Sequence, residues 1–204
     1  MAVTPNYSWP VPVNTDYVKD GAEAIKDLGD AIDSTVFGLP SGGLTLINTT
    51  TFTTSASVVV SDVFTSNYNN YLVVGNYTFS TGGTFIFARV SASGTPLTAD
   101  YATVSQRIKS DGGTTTLQTS TIGMQMGSGS NYSNAGSFTL NVNNPFASER
   151  TFFTGLQSVR ENDDLNYGFN FSGQTTNTTS YDGFALAPAA GTTSGTIRIY
   201  GLRD

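Results

Sequence analysis

From residue 41 onward, apolar and polar side chains alternate in short runs, the period-two signature of half-buried β-strands. Phe85 and Phe87 alternate with Ile86 and Ala88, Phe169 and Phe171 with Gly168 and Asn170, and Ile197 and Ile199 with Arg198 and Tyr200. The pattern predicts strands over 44–52, 57–64, 71–80, 84–92, 101–109, 115–126, 137–142, 151–159, 165–172, 183–187 and 196–202. Turn-forming groups punctuate them, among them Asn69-Asn70, Gly82-Gly83, Ser93-Gly94, Asp111-Gly112-Gly113 and Asn143-Asn144-Pro145. Many short strands with no helix-period stretch between them predict an antiparallel β-sandwich, jelly-roll-like, over 41–204. No fixed repeat is visible, which argues against a β-helix or β-spiral.

The periodicity changes before that domain. In 14–37, Val18, Ile25 and Ile32 recur every seven residues, with Leu28 at the intermediate position and Ala22 and Val36 flanking. This narrow stripe resembles a coiled-coil seam on one α-helix over 14–36. Asn14 or Thr15 can cap it, Asp16 suits the positive end of its dipole, and Gly38 and Pro40 end it. Gly21 and Gly29 near the stripe cost about 1 kcal/mol each in helix propensity and permit close approach of a neighbour. A helix this short is marginal alone in water. It needs either its own β-domain or copies of itself to pack against. Residues 1–13 place Pro5, Pro10 and Pro12 around Trp9, which favours an extended arm. That arm is either loose or docks Tyr7 and Trp9 on a neighbouring subunit, and the cost of leaving Trp9 in water favours docking.

Composition narrows the function. Charged residues are only 12% of the 204, and polarity comes from Thr, Ser, Asn and Gly, as suits strands and turns. Aromatic residues at 12% argue against disorder. Net charge is −6, of which residues 16–33 hold −4, from six acids against Lys19 and Lys26. The remainder is nearly neutral and carries no basic patch, so phosphate-driven nucleic-acid binding is not expected. A weakly charged hydroxyl- and amide-rich surface suits glycans or other subunits, or no partner at all. The chain has no cysteine and no histidine, which removes disulfides, thiol chemistry, Cys-based zinc sites and His-dependent triads. The first residues have no signal-peptide pattern, and no apolar run is long enough for a transmembrane helix, so no membrane partner is expected.

No constellation of residues predicts an active site. Glu161, Asp163 and Asp164 form the densest acidic group, but Arg160–Asp164 lacks the spacing of an EF-hand loop and reads as a solvated turn. Asp100, Asp111 and Asp182 stand alone in sequence. No catalytic, metal or cofactor residue is expected. Five of the ten tyrosines, Tyr68, Tyr71, Tyr132, Tyr167 and Tyr181, lie beside turn residues. Such side chains either half-bury on sheets or offer flat faces to sugars. Glycan contact is sought first at Tyr68 with Asn69 and Asn70, and at Tyr132 with Asn131 and Asn134.

Two stretches resemble a known class. Thr4–Pro12 (TPNYSWPVP) followed by Val18–Asp33 (VKDGAEAIKDLGDAID) resembles the N-terminal region of structural proteins of tailed bacteriophages. Ser194–Gly201 (SGTIRIYG) resembles the last β-strand of many phage tail-fibre and virion-appendage domains. The resemblance implies a virion location and a division of labour. The arm and helix, through Trp9, Val18, Ile25, Leu28 and Ile32, would attach the protein to other phage virion proteins and help form a homotrimer. The β-domain would face outward as adhesin, fibre head or shell decoration. A non-enzymatic appendage touching host-surface glycan is the leading expectation, a structural capsid-decoration or head-fibre protein the alternative. A polysaccharide-degrading enzyme, which would need paired carboxylates in a groove, is the third.

Overall fold

A computed structural model of the chain describes residues 2–11, 13, 17–38, 43–79, 85–112, 116–126, 135–160 and 165–203. The chain divides into two compact units, Met1–Gly42 and Gly43–Asp204.

In the first unit, strands β1 (Ala2–Val3) and β2 (Pro10–Val11) pair antiparallel, Ala2 opposite Val11, around a turn containing Ser8 at φ 56°. A 3-10 turn at Val18–Asp20 leads into helix α1, Gly21–Gly38. The helix so begins later than the heptad pattern suggests, and the expected caps Asn14, Thr15 and Asp16, with Pro40, lie outside the described residues. Ala24 is the one buried hydrophobic residue described in this unit.

The second unit is the antiparallel β-sandwich that the alternation predicts. Its strands are β3 (Leu44–Ser55), β4 (Val58–Val60), β5 (Asn70–Phe79), β6 (Ile86–Ala92), β7 (Thr95–Pro96), β8 (Tyr101–Lys109), β9 (Thr116–Ser120), β10 (Met124–Met126), β11 (Ala135–Asn143), β12 (Phe152–Arg160), β13 (Asn166–Thr175), β14 (Gly183–Pro188) and β15 (Thr193–Leu202). The large sheet has eight strands in the order β3-β15-β5-β11-β12-β13-β8-β9. The small sheet runs β10-β6-β14-β4, with β7 on β6.

Period-two alternation decides which side chains meet between the sheets. Phe138, Leu140 and Val142 of β11, and Phe169 and Phe171 of β13, point inward from the large sheet. Ile86, Ala88 and Val90 of β6 and Phe184 and Leu186 of β14 answer from the small one. Expected strand 115–126 breaks in two here. After Ser120 the chain turns, Gly123 passes against Phe87 and Arg89, and β10 joins the other sheet with Met124 and Met126 fully buried. Expected strand 57–64 stops at Val60. Asp62 then takes φ 58°, and the Val63 and Phe64 amides donate to the Asp182 carbonyl.

Candidate interaction surfaces

The arm and helix of the first unit meet along one face of α1. The indole N–H of Trp9 donates to Thr35 Oγ1 at 2.9 Å, and that hydroxyl donates to the Ala31 carbonyl at 2.8 Å. Tyr7 stacks on Trp9, with centroids 5.1 Å apart. Helical spacing puts Ala24, Leu28, Ala31 and Thr35 on this face, and there Ala24 is buried and Leu28 half-buried. Trp9 thus docks on its own chain's helix and is half-buried.

Among the described residues, the next face of the helix has no such cover. Val18 is 98% exposed, Ile25 67% and Val36 58%, with Ile32 half-buried between them. Gly21 and Gly29 flank this line, and a Cβ on either would meet nothing within 4 Å. By helical spacing the acids Glu23, Asp27, Asp30 and Asp33 fall away from it, on a face where Lys26 pairs with Asp30, which raises the lysine's pKa. The seam residues split in two. Val18, Ile25 and Ile32 lie along the open line, whereas Leu28 turns toward the arm.

The second surface is the outward face of the large sheet, and its chemistry follows from the strand sequences. None of the eight strands contains Asp or Glu. Their outward positions alternate with buried ones, as in β11, where Ser137, Thr139 and Asn141 stand out between buried Phe138, Leu140 and Val142. Only Arg160 and Arg198 bring charge to this face among the described side chains. Three shallow hollows lie side by side on it. The first, about 420 Å³, runs over Val74, Thr139, Leu156, Ser158, Gly168 and Asn170. The next, about 380 Å³, shares Asn170 and adds Gln106, Val104 and Ser172. The third, about 360 Å³, shares Val104 and Ser172 and reaches Ala102, Thr119 and Ser120. Small outward residues make the floor: no atom stands within 4 Å of a Cβ built on Gly168.

Tyr68 is held in the fold. Its ring lies on Gly201, where an added Cβ would be 2.6 Å from the ring carbons, and it packs edge-on to Tyr71 at 5.8 Å. It remains partly exposed beside Asn69, whose carbonyl accepts from the Asn144 amide at 2.7 Å. Tyr132, Asn131 and Asn134 lie outside the described residues, as do Glu161, Asp163 and Asp164. Tyr71, Tyr167 and Tyr181 are buried, so their neighbouring turn residues did not signal exposure.

The isolated aspartates do not gather. Asp100 and Asp111 flank opposite ends of β8, a separation of roughly 30 Å for nine strand residues. Asp182 accepts from the Ser93 amide at 3.0 Å, and Asp100 from Asn177 Nδ2 at 3.3 Å. Tyr181 donates to Asn177 Oδ1 at 2.6 Å, and burial raises its pKa. The Asp182 and Asp100 carboxylates thus tie together segments far apart in the chain. Among the described residues, no three Asp or Glu side chains come together as metal ligands would.

The sequence reading missed the outward sheet face. Its signal was present as eight strands without an acid, but the register that lines up their polar positions appears only in the folded sheet. No protein-family model matches the chain, and no curated protein is similar to it. The fold defines an antiparallel β-sandwich preceded in sequence by a small helical unit.

Proposed function

We propose that this protein is a non-enzymatic subunit of a bacteriophage virion appendage, of tail-fibre or receptor-binding type. Its N-terminal unit joins copies into a homotrimer and attaches them to other virion proteins. Its β-sandwich is displayed for contact with the host surface. The observation that carries this reading is the uneven division of core. The sandwich encloses a large core between two sheets, whereas the described residues of the first unit bury one alanine and leave Val18, Ile25 and Val36 in water. Units of about forty residues with so little core need a partner to be stable. Burying each of those side chains against a neighbour contributes on the order of 1.5–3 kcal/mol. The resemblance of 4–12, 18–33 and 194–201 to phage structural proteins supplies the setting.

Light scattering on the full chain tests the assembly step. The wild-type chain is expected at three times its monomer mass, and the double variant Ile25→Asp, Ile32→Asp at the monomer mass with unchanged β-sheet circular dichroism. A wild-type monomer at micromolar concentration would overturn the assembly. Gold-labelled antibody on particles then separates a tail-tip position from a capsid one, which would make the chain a decoration or head-fibre subunit.

A further inference from the structure

We propose that the outward face of the large sheet is a binding track for an uncharged polysaccharide chain. This rests on the display role above and names the site and ligand class for it.

Register carries the argument. One row across the sheet reads Val74, Thr139, Leu156, Asn170, Gln106, each opposite the next in the neighbouring strand. The next row reads Leu72, Asn141, Thr154, Ser172, Val104. In the first row an aliphatic side chain is followed by a polar one, so the row has no contiguous apolar stretch such as the centre of a stable protein interface requires. Leu156, 60% exposed, stands between Thr139 and Asn170.

The polar groups match a sugar chain. Hydroxyl and carboxamide side chains both donate and accept, as sugar hydroxyls require of their partners. The strands that form the track contain no acid to repel an uncharged occupant's hydroxyls. Its two arginines, Arg160 and Arg198, do not line the hollows. Val74, Leu156 and Val104 present C–H surface to the apolar faces of the rings. The three hollows share residues end to end and cross from β5 to β9, about 24 Å at the usual strand spacing. That length takes several sugar rings in line. The hollows are shallow, so single sites are weak, and three copies on one particle supply the avidity.

Native electrophoresis in gels cast with dextran, laminarin or galactomannan tests the track, with polygalacturonate as the charged contrast. At least one neutral polymer is expected to retard the full-length protein. The double variant Asn170→Ala, Gln106→Ala should weaken that retardation about tenfold, the effect of losing two hydrogen-bonding side chains. The exposed Leu156→Arg substitution should weaken it too and leave the solution mass unchanged. Retardation by polygalacturonate alone, or by no polymer, overturns the proposal. So does a Leu156→Arg protein of lower mass, which would make this face a contact between copies. The Ile25→Asp, Ile32→Asp mass experiment reads a different unit, so either reading can fail without the other.

Discussion

Several glycines are places where the sheet has closed over a missing side chain. At Gly155, a Cβ would stand 2.4 Å from both the Phe171 ring and the Thr139 carbonyl oxygen. Neither can yield, because Phe171 is in the core and Thr139 is part of the sheet ladder. Gly155→Ala is therefore expected to cost about 1–3 kcal/mol, and thermal melting should fall by roughly 2–10 °C. Gly168→Ala, facing open space one strand away, should melt within about 2 °C of wild type. Buried phenols add a pH response. Burial raises the pKa of Tyr77, against the opposing hydrogen bond from Gln157, and that of Tyr101, whose oxygen accepts from the Val90 amide at 3.0 Å. The folded chain keeps protons that the unfolded chain gives up near pH 10. Stability from these groups is complete below about pH 10 and declines as pH rises toward the folded pKa, by up to about 1.4 kcal/mol per unit for each tyrosine. Melting curves recorded on either side of about pH 10 should show the decline, and Tyr77→Phe should reduce its slope.

Among elements, strands were the most legible. Expected strand 101–109 coincides with β8, and most others agree within a few residues because alternation and turn residues pointed the same way. Legibility failed where long-range packing overrode the local pattern. At 115–126 an unbroken β-prone run hides a change of sheet, since nothing local marks that Met124 must reach the core while Thr119 stays outside. On β6, Ile86, Ala88 and Val90 take the core, while Phe87, on the face it shares with Arg89 and Ser91, is buried from the other side, with the Arg89 guanidinium 5.0 Å from its ring centre. The helix was legible by period, but not its division into a face covered by the arm and a face left open. Tyr68 was found as a residue worth naming, whereas its seat on Gly201 needed the fold. The arm–helix contact offers a direct check. Thr35→Val removes the acceptor of the Trp9 indole, a loss of about 1 kcal/mol, and should shift emission of the single tryptophan toward that of a solvated indole.

For the molecule as a whole, the two units imply separable behaviour. A chain of residues 43–204 retains the full sandwich and should melt within about 3 °C of the intact protein. By the proposed assembly it should also stay monomeric at concentrations where the intact chain is trimeric. Trimeric 43–204 would move the subunit contact into the sandwich.

The placement of β15 governs when this protein can finish folding. It follows every other strand in the chain, yet it lies between β3 and β5, the earliest strands of the large sheet. Until residues 193–202 leave the ribosome, β3 has no neighbour in its sheet and β5 lacks one of its two, each with a bare row of amides and carbonyls. Synthesis therefore carries a waiting period in which half-built sheets on adjacent ribosomes can stick to one another. Slowing translation before residue 193 should increase the insoluble fraction, and supplying the 193–202 peptide in trans should reduce it.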